Sequence, residues 1–381
     1  MKQTGILLHL SSLPGDFGIG DLGPQAYAFA DYLSRNGHKI WQILPLNHCG
    51  YGNSPYNPLS ALAINPYLIS PELLFENGLI SRSDLETAEL PNDGNVYYEL
   101  VARTKDKLLA KAAENWLLHN DLEHFLEVEA PYLKPYLSFV ALSHLYGDSD
   151  WSAWSPEHRR YSEALYRQLR TVYPKLIVTD AVAQALLREQ LGSFKSYLDQ
   201  QHITLVGDIP LYLAYESAEV WAHQEWFDLD EQGRRLHFAG VPPDAFASEG
   251  QLWGNPLYRW DRLREQGFSL IMERMAQALN YLDVLRLDHF IGYVNYWQVD
   301  CAHSATGEPV LPQNALQGRW VEAVPEDFFQ TLITRFGKGR FLAEDLGILN
   351  ERVCRIRDGF AFPGMIVLQF CFEESVPDIG R

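Results

Sequence analysis

Short apolar runs recur along the chain, each followed sooner or later by sequence of helical periodicity. They are GILLHL (5–10), KIWQILPL (39–46), ITLVGDIPLYL (203–213), DVLRLDHF (283–290), GRFLAEDLG (339–347) and GMIVLQF (364–370). Strands that alternate with helices pair in parallel and need both faces of the sheet covered. The pattern therefore predicts an α/β protein, either doubly wound or closed into a barrel. Residues 47–202 separate the second run from the third, and residues 214–282 the third from the fourth. Stretches so long are inserted subdomains, not loops.

The first insertion, residues 51–200, reads as mostly helical. Ser83 and Glu86 are spaced as a capping box, residues 99–145 carry amphipathic periodicity, Ser155-Pro156 marks another start, and 180–201 reads as a further helix. The second, residues 214–282, combines helices with EWFDLDEQGRRLHFAGVPPDAFASEGQLWGNPLYRW, dense in Gly, Pro and aromatics. Loops of that kind tend to roof a binding site. The chain holds ten Trp, 20 Tyr and 19 Phe. These are core packing, or platforms on which sugar rings stack their C–H faces.

GIGDLG (18–23) matches the dinucleotide pattern G-x-G-x-x-G. Pro24 suits a first helical position, and Ala26, Phe29, Ala30 and Leu33 recur at helical spacing up to Gly37. Yet SSLPGDF separates the glycines from the strand, and no acidic residue between Asp31 and Glu72 could hold a ribose. A nucleotide is not expected. A formal net charge of −18 argues against nucleic acid or an anionic membrane as partner. Cys49, Cys301, Cys354 and Cys371 form no C-x-x-C, which suggests a reduced, cytoplasmic protein. The apolar stretch between Lys2 and Pro14 is too short for a signal sequence, and nothing resembles a membrane span.

In VLRLDHF, alternation along a strand puts Arg286 and Asp288 on one face and Leu285 and Leu287 on the other. In a barrel the charged pair would point inward near the strand's C-terminal end, where barrel enzymes do their chemistry. The nearby arginine favours an ionised Asp288, which suits a nucleophile; a structural ion pair is the competing reading. In FLAEDLG only one of Glu344 and Asp345 can face inward. If Glu344 does, two carboxylates on neighbouring strands share a cavity, as glycoside cleavage requires. Otherwise it caps the helix starting near Asn350. Asp208 in VGDIP ends a strand too, as a functional group or as a turn-former before proline. His9 and His289 read as satisfied inner-barrel histidines, and His48-Cys49 lacks the spaced partners of a metal site.

HLSSLPGDFGIGDLG, GYGNSPYNPLSA, GDIPLYLAYESAEVWAHQEWF, GVPPDAFASEGQLWGNPLY, LRLDHF and AEDLG, in this order from residue 5 to about 370, together resemble the amylomaltases. These disproportionating 4-α-glucanotransferases belong to the α-amylase clan. The resemblance implies a (β/α)₈ TIM barrel with inserted subdomains. It further implies Asp288 as nucleophile, Arg286 as the arginine that orients it, and Glu344 as acid/base. Tyr56, Asp208, Asp244, Phe246, Gln251, Trp253 and His289 fall on positions that look glucan-binding. Ala245 departs from the pattern, since an aromatic commonly stands there. The partners implied are α-1,4-glucans and malto-oligosaccharides; no cofactor and no metal are implied. The family's third carboxylate follows a His on a seventh strand, and the sequence stops at Arg381, after the sixth run. A barrel cut there would expose strand edges, so residues 1–381 alone are expected to be poorly soluble and inactive. The competing expectation is a glucan-binding protein without catalysis.

Overall fold

The apolar runs become strands only over the few residues that find a neighbour. The computed structural model describes residues 3–243, 247–303, 309–347 and 349–372. Its strands are β1 (Ile6–Leu7), β2 (Ile40–Gln42), β3 (Thr204–Ile209), β4 (His237–Val241), β5 (Gln251–Pro256), β6 (Val284–Leu287), β7 (Asn295–Asp300), β8 (Ala302–His303), β9 (Pro309–Val310), β10 (Gly318–Glu322) and β11 (Phe341–Ala343). Two compact units emerge. One holds Met1–Gly207, Glu216–Ala222 and Asn280–Asp283; the other holds Asp208–Tyr215, His223–Leu279 and Val284–Arg381.

In the first unit β1, β2 and the start of β3 lie parallel, with Ile6 opposite Trp41 and Ile40 opposite Thr204. Trp41 is the centre of this layer. Its ring is fully buried, edge-on to Phe29 and Phe194 at 4.8 and 5.6 Å, and its Nε1 donates to the Leu8 carbonyl at 2.7 Å. Phe29 and Phe194 come from helices Pro24–Arg35 and Pro174–Gln200, which cover the sheet. Much of the aromatic content is core: Trp151, Trp154 and Trp221 are almost wholly buried, and Phe139 packs against the last two.

The glycines of GIGDLG serve backbone approach. A Cβ on Gly20 would lie 2.1 Å from the Leu10 carbonyl oxygen and 2.6 Å from that of Leu13, both in the turn after β1. Asp21 then ties the corner down. One of its oxygens accepts from the Gly23 amide at 2.9 Å and the other from the buried Lys105 ammonium at 2.8 Å. Lys105 satisfies its remaining donors on the carbonyls of Tyr67 and Ile69. Pro24 opens the next helix at its first position, as the sequence predicts.

Helix starts in residues 51–200 differ in detail from the expectation. The capping box is Ser81–Asp84, not Ser83–Glu86. The cap residue must be extended, as Ser81 is with ψ 163°, whereas Ser83 already lies inside the helix Arg82–Thr87. Ser155-Pro156 starts only the short turn Pro156–His158; the following helix, Glu163–Val172, is capped by Ser162.

The second unit pairs β6 with β11 in parallel, Phe341 opposite Leu285 and Ala343 opposite Leu287. It also contains an antiparallel sheet in the order β10-β7-β4-β5, built partly from the stretch read as loop. Phe238, Val299 and Ala315 form its small core. The sixth run, GMIVLQF, is not a strand. The Ala343 amide donates to the Pro363 carbonyl at 2.8 Å, a single rung, and the chain then enters the turn Leu368–Phe372. Without further rungs among the described residues the alternation has nothing to bury, and Ile366 and Leu368 stay 61% and 59% exposed. Parallel strands with helical connections make the chain α/β.

Candidate active site

The site grows from the end of β6. Leu285 and Leu287 are buried on one face, and Arg286 shares the other with Asp288, as alternation requires. One terminal nitrogen of Arg286 donates to both oxygens of Asp208, at 2.7 and 2.8 Å, and to Asp288 Oδ1 at 2.7 Å. Its Nε is buried with no partner. Asp208, with a wholly buried side chain, is therefore a second carboxylate on the same arginine. A turn-forming role does not describe it. The Asp288 amide is held as well, donating to the Ile209 carbonyl at 3.2 Å.

Arg286 favours the Asp288 carboxylate, as expected from the sequence, but it does not act alone. Burial, then the charge of Asp208, push the Asp288 carboxyl up to about 7, against the pull of Arg286. Arginine proximity alone does not keep this group ionised, because burial and the like charge of Asp208 oppose it. Burial also works against the Arg286 charge, yet the two aspartates outweigh it and hold the guanidinium above its ordinary value.

On the neighbouring strand end, the Glu344 amide donates to the Leu287 carbonyl at 3.1 Å, which sets this residue beside Asp288. Its carboxylate accepts from the Leu346 amide at 3.0 Å, and its charge acts on both Arg286 and Asp288. Asp345 is engaged elsewhere, with Arg357 at 2.7 Å and the Met365 amide at 2.8 Å. Asn350 caps its own helix through the Val353 amide, so Glu344 does not serve as that cap.

His289 follows Asp288 in a left-handed conformation, φ 52°. Burial drives its pKa down to about 4, so the ring is neutral, and its Nε2 is buried with no partner. His9 Nδ1 is likewise orphaned, so neither histidine is the satisfied core group expected. Trp253 lies edge-on to His289 at 4.7 Å, 39% exposed, with Nε1 donating to Gln251 at 3.1 Å. Asp208, Arg286, Asp288, His289, Glu344, Gln251 and Trp253 thus belong to the second unit. Tyr56 lies in the first, partly exposed. Asp244 and Phe246, with Ala245, lie outside the described residues. The sequence reading missed Tyr212, whose ring lies 6.2 Å from Trp253, and whose only signal is its place in the run that carries Asp208. Among the described residues, no helix is long and apolar enough to cross a membrane.

Over residues 8–379 the chain matches the family model described as 4-alpha-glucanotransferase. The chain belongs to that family. A 4-alpha-glucanotransferase of Thermus thermophilus is 40% identical over 98% of this chain and 74% of its own length. One of Aquifex aeolicus is also 40% identical, over 98% and 75%. A solved amylomaltase of Streptococcus agalactiae, in complex with acarbose, superposes with a TM-score of 0.90 at 34% identity, covering 99% of this chain and 76% of that one. The family's fold and the α/β organisation described above therefore coincide.

Proposed function

We propose that the chain is a retaining 4-α-glucanotransferase that moves a segment of one α-1,4-glucan to the 4-hydroxyl of another glucan or of glucose. The observation that carries this reading is the shared arginine: Arg286 bridges Asp208 and Asp288, with Glu344 on the adjoining strand end. Asp288, once deprotonated, attacks the anomeric carbon while Glu344 gives its proton to the departing 4-oxygen. The C1–O4 bond breaks as the C1–Asp288 ester forms. Glu344, now a carboxylate, takes the proton from the 4-hydroxyl of an incoming glucan, whose oxygen displaces Asp288 from C1. Two inversions return the α-linkage. Transfer wins over hydrolysis when water is kept out while the acceptor is in place, and the half-exposed indole of Trp253 is a suitable cover. The neutral His289, with its unpartnered Nε2, suits a sugar hydroxyl. We assign glucan-binding roles to Tyr56, Asp244, Phe246 and Gln251, and read the strands as a barrel with insertions at residues 51–200 and 214–282. Malto-oligosaccharide substrates are supported by the acarbose complex of the solved relative, and a cytoplasmic location by four free cysteines.

The test uses maltotriose and a maltosyl fluoride donor. A catalytically complete form of the protein should release glucose from maltotriose while forming longer chains, and the variants are made in that form. Asp288→Asn should abolish reaction with both donors. Glu344→Gln should lose maltotriose turnover but still release fluoride in the first, glycosyl-enzyme-forming step, because that leaving group needs no proton. Equal losses on both donors in the Glu344 variant would refute its acid role.

A further inference from the structure

Arg274 lies on the helix Ser269–Leu279 and is 2% exposed. No carboxylate among the described residues forms an ion pair with it. Burying a cation without a counter-ion is costly, and it persists where other dipoles take its protons. Its two terminal nitrogens donate to one short segment and to the tyrosine bound to that segment, while its Nε is buried with no hydrogen-bond partner. The guanidinium donates to the Pro210 carbonyl at 2.7 Å, the Leu211 carbonyl at 3.3 Å and the Tyr258 hydroxyl at 3.1 Å. Tyr258 in turn donates to the same Leu211 carbonyl at 2.9 Å. Asn255 holds the next stretch through the Leu213 carbonyl at 2.8 Å.

That segment carries both supports of Asp288. Asp208 fixes Arg286, which fixes the Asp288 carboxylate, and the carbonyl of Ile209 takes the Asp288 amide. Leu211 presses on the turn beyond: a Cβ at Gly292 would meet Leu211 Cδ2 at 2.5 Å and His289 Cδ2 at 2.6 Å. A buried fork one residue downstream of Ile209 thus clamps the main chain from which side chain and amide of Asp288 both hang. We propose that Arg274, with Tyr258 as its second jaw, is a positioning residue for Asp288; this rests on the glycosyl-transfer reading above.

Arg274→Lys keeps the charge and loses the fork, and Tyr258→Phe keeps the ring and loses one jaw. Each should lower kcat for maltotriose about 10- to 100-fold with KM little changed, the scale of a slightly misplaced reacting group. In the same proteins, carbon-13 NMR titration of the Asp288 carboxyl, assigned by its loss in Asp288→Asn, should show a midpoint moved by about half a unit or more. Thermal midpoints separate this from plain destabilisation. A fall in kcat or thermal midpoint with an unmoved carboxyl midpoint overturns the proposal, as does a moved midpoint with wild-type kcat. If Asp288→Asn itself keeps turnover, the glycosyl-transfer reading fails instead, and the carboxyl midpoint alone then decides whether Arg274 positions that side chain.

Discussion

One arginine between two carboxylates leaves a net negative charge in a buried place, and Asp288 carries the consequence. Its carboxyl titrates near neutrality because burial and Asp208 together outweigh Arg286. As free protein falls below that pH, Asp288 becomes protonated and cannot attack, so kcat/KM should decline on the acid side with a limb near pH 7. Asp208→Asn removes the like charge and leaves Arg286 wholly to Asp288. Both changes favour the carboxylate, so the limb should move to lower pH by about a unit. A limb that stays, or moves upward, in the kcat/KM profile of Asp208→Asn would show that Asp208 does not set this ionisation. The Arg286–Asp288 pairing was legible in LRLDHF because a strand's period is two. The ionisation was not, since it depends on Asp208, distant in the chain and able to meet Arg286 only once β3 and the end of β6 are in place.

Elements were legible where periodicity is local, and misread where pairing decides. Pro24 to Arg35 announced itself through a first-turn proline and an apolar face ending at Gly37. GMIVLQF looked like a strand by composition, but a strand exists only with a partner beside it. The antiparallel sheet went unread for the opposite reason: β4 and β5 lie in a stretch dense in Gly, Pro and aromatics, β4's other partner β7 lies far along the sequence, and β10 joins the sheet only through β7. The GIGDLG corner shows how one motif can hold several meanings until packing is known. Its Gly20 has two carbonyl oxygens where a side chain would go, whereas Gly37, at φ 77°, has nothing within 4 Å. Gly37→Ala should therefore cost only the left-handed penalty of about 1 kcal/mol. Gly20→Ala must displace backbone and should cost about 3 kcal/mol or more. Urea denaturation of the two variants distinguishes them, and equal midpoints would mean that the corner yields freely.

Across the whole molecule two sets of shifted groups pull stability in opposite directions with pH. His9, His48 and His289 are held neutral by burial, each lowered from 6.5 to about 4. They stabilise the fold above pH 6.5, and that contribution is lost as pH falls from 6.5 toward 4. Asp21, Asp106, Asp180 and Asp288 are raised from 3.8, chiefly by burial, to about 6, 6, 7 and 7. Their protonated forms favour the fold at low pH, and that advantage is lost as pH rises through 6 to 7. Between pH 5 and 6.5 the four carboxyls outweigh the three histidines only slightly. Above pH 6.5 the unfolded histidines have mostly lost their protons, while folded Asp180 and Asp288 are still losing theirs. A net charge of −18 adds self-repulsion in the same direction. The thermal midpoint should accordingly decline gently from pH 5 to 6.5 and go on falling from pH 6.5 to 8. Asp180 lies on the helix Pro174–Gln200, in the first unit, and is not one of the groups assigned to chemistry. Asp180→Asn, neutral at every pH, should leave the midpoint nearly unchanged at pH 5 and raise it at pH 8, flattening the decline. A wild-type midpoint that rises from pH 6.5 to 8, or an Asp180→Asn variant that declines as steeply as the wild type, would show that burial of this carboxyl does not govern alkaline stability.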